Sequence, residues 1–312
     1  VDQKPRRNFR VVVLAGGASA EREVSLASGA CVTAALREAG HQPLVIDPLD
    51  VGLDQIDWQR FDGCFLSLHG GGGEDGRIQR ELARRGVRFT GSDATSSHAA
   101  MNKSTAKARF ERAGILTPKH VLIQGPTTED LSAKIITSLE QLGYPLVLKP
   151  DAQGSSLGVG LVRGSDELAP QLHTCGRFGW PLLAEQYIAG REFTVTLLGR
   201  RALGPLEISG CKDIFDYRSK YSGNASEFHA PADLRPITLE KLQSAALRAA
   251  IALNTSGMVR VDLILDRDGR PWVLEVNTLP GMTAKSLAPQ AARQIGLNMA
   301  DLCDWMLRDA FG

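Results

Sequence analysis

The chain predicts an α/β fold in which strands and helices alternate, with an antiparallel hairpin near its C-terminal end. Three observations predict it. A β-branched run over 10–14 ends in Ala15-Gly16-Gly17 and leads through a polar turn into a helical pattern over 24–39. Short apolar strands at 44–46 and 63–68, the second followed by helical sequence over 76–85, extend this into a small parallel sheet covered by helices. Near the C-terminus, Asp268-Gly269 is a strong hairpin signal with alternating apolar residues on both sides.

Composition narrows the function classes. At 312 residues, 43% hydrophobic and 23% charged, the chain is globular and long enough for two or three domains. A net charge of +1 gives no general attraction for nucleic acid or anionic membrane, so neither is expected as a partner and any phosphate must be held locally. Five scattered cysteines with no C-x-x-C support neither a disulfide framework nor a zinc site. No run approaches the roughly eighteen apolar residues of a spanning helix. The charged N-terminus leads into VVVLAGG, which reads as a strand and not a signal-peptide core, so a cytoplasmic protein is expected.

The remaining elements follow in order. The pattern changes near 93–102, a helix is expected over 103–113, and a first domain boundary falls there. Strand 118–123, helix 129–141 and strand 144–150 come next, the last ending in Lys149. A short helix over 166–172, strand 181–188, a turn at 190–192, strand 193–198 and strand 202–208 follow. The polar segment 212–227 is too long for a plain hairpin loop and suggests an active-site cover or a surface insertion. A patterned helix over 239–253 precedes the hairpin, and helices over 287–294 and 299–310 close the chain.

Four stretches carry candidate chemistry. In parallel sheets ligands sit beyond the carboxyl ends of strands, where Gly16-Gly17 and the run His69-Gly-Gly-Gly-Gly-Glu-Asp-Gly76 fall. Four consecutive glycines point to close approach of a ligand, an unusual turn or a mobile loop. Glu21 stands just before a helix, and local sequence favours a helix-start charge there. After Lys149, the Gly/Ser loop 151–160 reads either as a phosphate cradle of backbone N–H groups or as a flexible hairpin connection.

The hairpin is the fourth. A turn at Asp268-Gly269, or a four-residue loop from Arg267 to Arg270 in the same register, puts Asp262 opposite Glu275 and Arg260 opposite Asn277, while Val261, Leu263 and Leu265 face Trp272, Leu274 and Val276 on a core side. Two opposed carboxylates repel unless a cation stands between them. Mg²⁺ fits such oxygen donors, with Asn277 as a further one; otherwise the pair is the solvated side of an edge hairpin.

Taken together, Ala20-Glu-Arg-Glu-Val-Ser25, the His69 to Gly76 run, Met101-Asn-Lys103, Leu148-Lys-Pro150 with Gly154-Ser-Ser156, Glu192-Phe-Thr-Val195, Asp216-Tyr-Arg-Ser-Lys-Tyr221 and Glu275-Val-Asn-Thr-Leu-Pro-Gly-Met-Thr283 resemble the D-alanine:D-alanine ligases of the ATP-grasp superfamily. The resemblance runs from about Val11 to the C-terminus in the same order and spacing. It implies three domains, 1–102, 103–190 and 191–312, with ATP held between antiparallel sheets of the second and third. It implies ADP-forming ligation of two D-alanine molecules through an acyl phosphate, for peptidoglycan and cell-wall synthesis.

Roles carry over residue by residue. Lys103 and Lys149 match phosphate-binding lysines, and Lys220 matches the one that closes over the γ-phosphate. Glu185, Ile188 and Glu192 match adenine and ribose contacts. Asp262, Glu275 and Asn277 match the ligands of two Mg²⁺ ions, for which Mn²⁺ is a substitute. Arg260 and the Gly281 N–H match the oxyanion donors. Glu21 matches the receptor of the first ammonium, with Ser155 and Tyr221 as its network; His69, Ser286 and Leu287 match substrate-pocket residues. Family members often dimerise through the first domain, and the resemblance extends that expectation here.

Two other readings are distinguishable. An ATP-grasp ligase for D-lactate is disfavoured by Tyr221, whereas D-serine or another acceptor is left open. A catalytically silent nucleotide-binding module would lack a metal ligand or phosphate lysine, and Lys149, Lys220, Asp262, Glu275 and Asn277 are all present.

Overall fold

The computed structural model describes residues 7–125, 133–155, 157–209, 227–229 and 232–312. Strand β1 (Arg10–Leu14) centres a three-stranded parallel sheet of order β2-β1-β3, with β2 (Gln42–Ile46) and β3 (Gly63–Leu66). The unbroken run of β1 has a cause, because the strand is buried on both faces. Val11 and Val13 pack with Val32 and Leu36 of α1 (Arg22–Glu38), while Val12 and Leu14 pack with Leu66 and Leu82.

After β3 come a single turn, α2 (Gly71–Glu74), and α3 (Arg77–Arg84). The region where the pattern changes is a helix, α4 (Ala94–Met101), started by Asp93, whose side chain accepts the Ser96 N–H at 2.7 Å. Helix α5 (Lys103–Arg112) follows. Ala99, Ala100, Ala106 and Phe110 of these helices share a core with the C-terminal sheet.

The second sheet is antiparallel. It holds β4 (His120–Ile123), β5 (Leu146–Pro150), β6 (Gly160–Val162) and β7 (Leu182–Gln186) in the order β4-β7-β5-β6, with α6 (Ala133–Leu142) and α7 (Ser165–Gly176) packed on it. The Gly/Ser loop is therefore the connection of a β5–β6 hairpin.

The third sheet has six strands in the described residues: β8 (Gly190–Leu198), β9 (Arg201–Ala202), β10 (Leu206–Ser209), β11 (Glu227–His229), β12 (Met258–Asp266) and β13 (Pro271–Asn277). Helix α8 (Pro236–Ala252) packs on it, and α9 (Leu287–Arg293) and α10 (Met299–Phe311) end the fold. Leu302, Met306 and Phe311 return to Phe9 and Val11, joining the C-terminal helix to the first sheet.

Three expectations are corrected. Residues 190–192 are strand and not turn, because β12 pairs with β8 as far as Gly190. The strand expected over 202–208 is two strands, interrupted at Gly204-Pro205, where proline offers no ladder N–H. The hairpin loop holds three residues, 267–269, with Gly269 at φ 72° and Asp266 N–H donating to Arg270 O at 3.1 Å. A register shift between Asp262 and Leu263 cancels this extra loop residue, so Asp262 still faces Glu275 and Arg260 still faces Asn277. Below the shift the pairing differs: Leu263 faces Val273 and Ile264 faces Trp272. Val273, not Leu274 or Trp272, joins the core, and the Trp272 indole instead donates to Asp266 at 2.8 Å.

No helix among the described residues is long and apolar enough to cross a membrane. Residues 212–226, including Lys220 and Tyr221, lie outside the described residues.

Candidate active site

The polar face of the β12–β13 hairpin forms one wall of the site. Strand alternation puts Arg260, Asp262, Glu275 and Asn277 on the side away from the Val261, Leu263 and Val273 core. The opposed carboxylates are neutralised from within the chain. Arg260 donates to Asp262 in a fork, Nε to Oδ1 at 2.9 Å and Nη2 to Oδ2 at 2.8 Å, and Thr194 Oγ1 adds a third bond at 2.7 Å. Burial opposes the Arg260 charge, but Asp262 outweighs it and holds the guanidinium above its usual range. Lys103 Nζ stands 3.7 Å from Glu275. Asn277 Oδ1 accepts the Leu279 N–H at 2.9 Å, which fixes the amide orientation.

Loops from the first and second sheets form the opposite wall. Glu21 occupies the N-cap position of α1 without capping it. Its carboxylate instead accepts a hydrogen bond from Ser155 Oγ, 134 residues away on the β5–β6 loop. Ser155 is held at φ 52°, a left-handed conformation uncommon for serine and typical of functional loops. The four-glycine run is the turn α2, preceded by Gly70 at φ 63°. It delivers Glu74 beside Glu21, with Glu74 Oε2 accepting the Gly70 N–H at 2.8 Å. Burial, reinforced by Glu21, raises the Glu74 carboxyl to about 8.

Between the walls runs a chain of alternating charges. Lys149, at the end of β5, lies 2.9 Å from Glu185 on β7, and Lys107 lies 3.0 Å from the same Oε1. Burial alone would raise the Glu185 carboxyl; the two lysines outweigh it and hold it below its usual value. Burial pushes Lys107 down to about 8, and it also lowers Lys103, whose Nζ donates to Gln153 O at 2.6 Å. Ile188 is buried just after β7, and Glu192 on β8 pairs with Ile208 on one side and Ile264 on the other, inside the third sheet.

The loop after β13 completes the arrangement. Ser286, before α9 and Leu287, accepts the Thr283 N–H at 3.0 Å, and a Cβ on Gly281 would stand 2.8 Å from its Oγ, so the close approach of Ser286 leaves little room for a side chain at residue 281. His69 fastens this loop to the first sheet. Its Nδ1–H donates to Leu279 O at 3.1 Å, its Nε2 accepts from Ser28 Oγ at 3.0 Å, and Ser28 Oγ accepts the Met282 N–H at 3.2 Å. This network assigns a neutral ring, and burial lowers His69 to about 4. Both ring nitrogens are thus taken by protein. Beyond the carboxyl ends of β1 and β3 a pocket of about 560 Å³ opens beside Ser19, lined also by Gly17, Leu68, Gly71 and Arg77.

The comparisons with known proteins agree with this architecture. A family model described as D-ala D-ala ligase C-terminus matches residues 110–308. The D-alanine–D-alanine ligase of Halorhodospira halophila is 38% identical over 308 residues, covering 98% of this chain and 97% of that one. That of Bordetella pertussis is 40% identical over 305 residues, covering 96% and 95%.

The chain belongs to the D-alanine–D-alanine ligase family.

Its mixed fold of parallel and antiparallel sheets matches solved ATP-grasp ligases of that family. The crystal structure of the Bacillus anthracis D-alanine–D-alanine ligase complexed with ATP superposes with a TM-score of 0.84 at 32% identity, covering 97% of each chain. The VanG D-Ala:D-Ser ligase from Enterococcus faecalis gives 0.85 at 26% identity, covering 98% of this chain and 100% of that one.

For this ligase-family chain, the fit of a hard cation is read from the donor set. Among the described residues no group of three or more His, Cys, Asp or Glu is arranged around a metal position. The set on the hairpin is two carboxylates and an amide oxygen, which suits Mg²⁺ shared with phosphates better than an all-protein cage. Two site residues escaped the sequence reading. Lys107 stands four residues after Lys103, one helical turn along the same face, a spacing that signals it. Glu74 sat inside the glycine motif with no role, and only the fold puts it beside Glu21.

Proposed function

We propose that this chain is an ADP-forming ligase that joins two D-alanine molecules into D-alanyl-D-alanine for peptidoglycan. Membership of the family supports the reaction, and ATP enters as the phosphoryl donor by analogy with the Bacillus anthracis complex. The observation that carries the site assignment is the Ser155–Glu21 hydrogen bond, which draws the β5–β6 loop over the first sheet and encloses a cleft faced by Arg260.

The first D-alanine, its ammonium on Glu21, presents its carboxylate to the γ-phosphorus of ATP. A C–O–P bond forms, the bridging P–O bond breaks, and ADP leaves. Positioning and charge neutralisation are what this step requires, and Lys103 and Lys149 supply fixed cations beside the Gly/Ser loop. Mg²⁺, held by Asp262, Glu275 and Asn277, would neutralise phosphate oxygens when bound. The amine of the second D-alanine, placed by Ser286 and Leu287, then attacks the acyl carbon. The developing oxyanion is received by Arg260, whose Nη1 lies outside the fork to Asp262, and by the Gly281 N–H. Collapse breaks the C–O bond and releases phosphate, and the amine gives up a proton.

Lys107 completes the adenine side by keeping Glu185 ionised as an acceptor. His69 acts here by holding the 278–286 loop. The three domains are taken as 1–102, 103–190 and 191–312, in the cytoplasm, with a homodimer through the first. Lys220 and Tyr221, which the family resemblance assigns to the γ-phosphate and to the Glu21–Ser155 network, lie outside the described residues. A product assay with ATP and D-alanine, D-serine or D-lactate as acceptor tests the reading. D-alanyl-D-alanine as the main product is expected; a mixed D-alanyl-D-serine product as the main one overturns it.

A further inference from the structure

Lys107 is fully buried, and the protein itself occupies its ammonium group. Nζ donates to Thr117 Oγ1 at 2.8 Å and to Pro118 O at 3.3 Å, and it lies 3.0 Å from Glu185 Oε1. An ammonium has three donors, so none is left for a ligand. Thr117 Oγ1 in turn donates to Val273 O on β13 at 2.8 Å, which pins the group from the third sheet. Lys149 is placed differently. It lies near the end of β5, just before the Gly/Ser loop, and among the described residues Glu185 Oε1, at 2.9 Å, is the partner of its ammonium. One oxygen of Glu185 is therefore shared by two lysines, one enclosed by protein and one beside the loop.

In the ligase reading Lys149 serves phosphate oxygens. A phosphate that takes Lys149 draws a cation away from Glu185, which is 2% exposed. A buried carboxylate stripped of its cation takes up a proton, and the O–H so formed is a donor where the adenine contact needs an acceptor. We propose that Lys107 is a positioning residue, the resident counter-ion that keeps Glu185 ionised while Lys149 passes to the phosphates of the nucleotide. This rests on the ligase reading and deepens it: Lys107 couples the base and phosphate ends of one ligand without touching either.

The surrounding charges fit that role. Burial would raise Glu185, and Lys107 and Lys149 together hold it below its usual value. Burial pushes Lys107 down to about 8 against the pull of Glu185, so at pH 7 it keeps its proton. Lys103 and Glu111 of α5 and His120 of β4 are the other titratable groups acting on the pair. Burial lowers His120, which is neutral at pH 7, and Lys103 is engaged by Glu275 and Gln153 O. Among the described residues Lys107 is thus the cation that stays on Glu185 once Lys149 leaves.

Calorimetric titration of AMP-PNP with Mg²⁺ into the full chain at pH 7, in buffers of different ionisation enthalpy, tests this. Lys107→Met should bind AMP-PNP about 10- to 100-fold more weakly than wild type and take up about one more proton per nucleotide. Adding Glu185→Gln to Lys107→Met removes the need for a counter-ion, so most of the affinity should return and the extra proton uptake should vanish. If Lys107→Met does not fold, Lys107→Gln, which keeps a donor for Thr117 without the charge, takes its place with the same expected results. Wild-type affinity and proton uptake in the folded single variant overturn the assignment. So does a loss of affinity that Glu185→Gln does not reverse, which is the result a purely structural lysine would give. Wild type that binds no AMP-PNP overturns the nucleotide site of the ligase reading itself.

Discussion

Two pairs of carboxyls face the same cleft, and the chain treats them differently. On the hairpin, Asp262 is matched by the Arg260 fork and Glu275 by Lys103, so each carries its own cation. On the opposite wall, Glu21 is met by a serine hydroxyl and Glu74 by a backbone N–H, and no cation of the chain is attached to either among the described residues. The difference teaches what each wall is for. Carboxylates already matched by fixed cations stay ionised, which keeps their oxygens available as hard donors. Burial without a cation of its own raises the Glu74 carboxyl to about 8, so that group holds a proton at neutral pH.

The contrast can be broken at several points. The largest effect should come from Glu275→Gln, which keeps shape and removes a hard donor; turnover should fall by about 10³-fold with little change in melting temperature. Near wild-type turnover would remove the hairpin from the chemistry. Arg260→Met should cost about 3–5 kcal/mol in denaturant unfolding, because it removes one partner of a buried, forked ion pair. It should also lower kcat by about 10²–10³.

The Glu74 wall predicts a pH effect of the opposite kind. Its carboxyl is raised from 4.5 to about 8, so between those values the folded chain holds a proton that the unfolded chain releases. Stability from this group is complete below pH 4.5 and is lost as pH rises toward 8. Glu74→Gln should therefore be more stable than wild type at pH 8 relative to pH 5, by roughly 1–3 kcal/mol after screening. Urea midpoints at the two pH values measure it. The smallest effect is a control away from both walls. Asn298 caps α10 through a capping box, so Asn298→Ala should cost about 1 kcal/mol equally at both pH values.

Much of the hairpin wall was legible in the sequence, and the reason is geometric. Period-two alternation puts Asp262 and Glu275 on one face whatever happens at the turn. The register itself survived through two compensating departures, a three-residue loop and a bulge, neither of which alternation alone reveals. The facing wall was less legible, since its contacts join residues 134 positions apart and depend on the packing of two sheets. Local sequence made Glu21 a helix-start charge; tertiary structure turned it toward Ser155. Glu74 was hidden by its glycines, whose folding as a helical turn aims the side chain inward. Lys107 was missed because a buried lysine looks like a surface one until its carboxylate partner is placed.

The central claim, ligation through an acyl phosphate, is tested most directly with D-alanine carrying ¹⁸O at both carboxylate oxygens. The oxygen that attacks phosphorus leaves with it, so mass spectrometry of the released phosphate should find one ¹⁸O per phosphate, matched by dipeptide. Unlabelled phosphate would mean that water and not D-alanine attacks ATP, and would contradict the account.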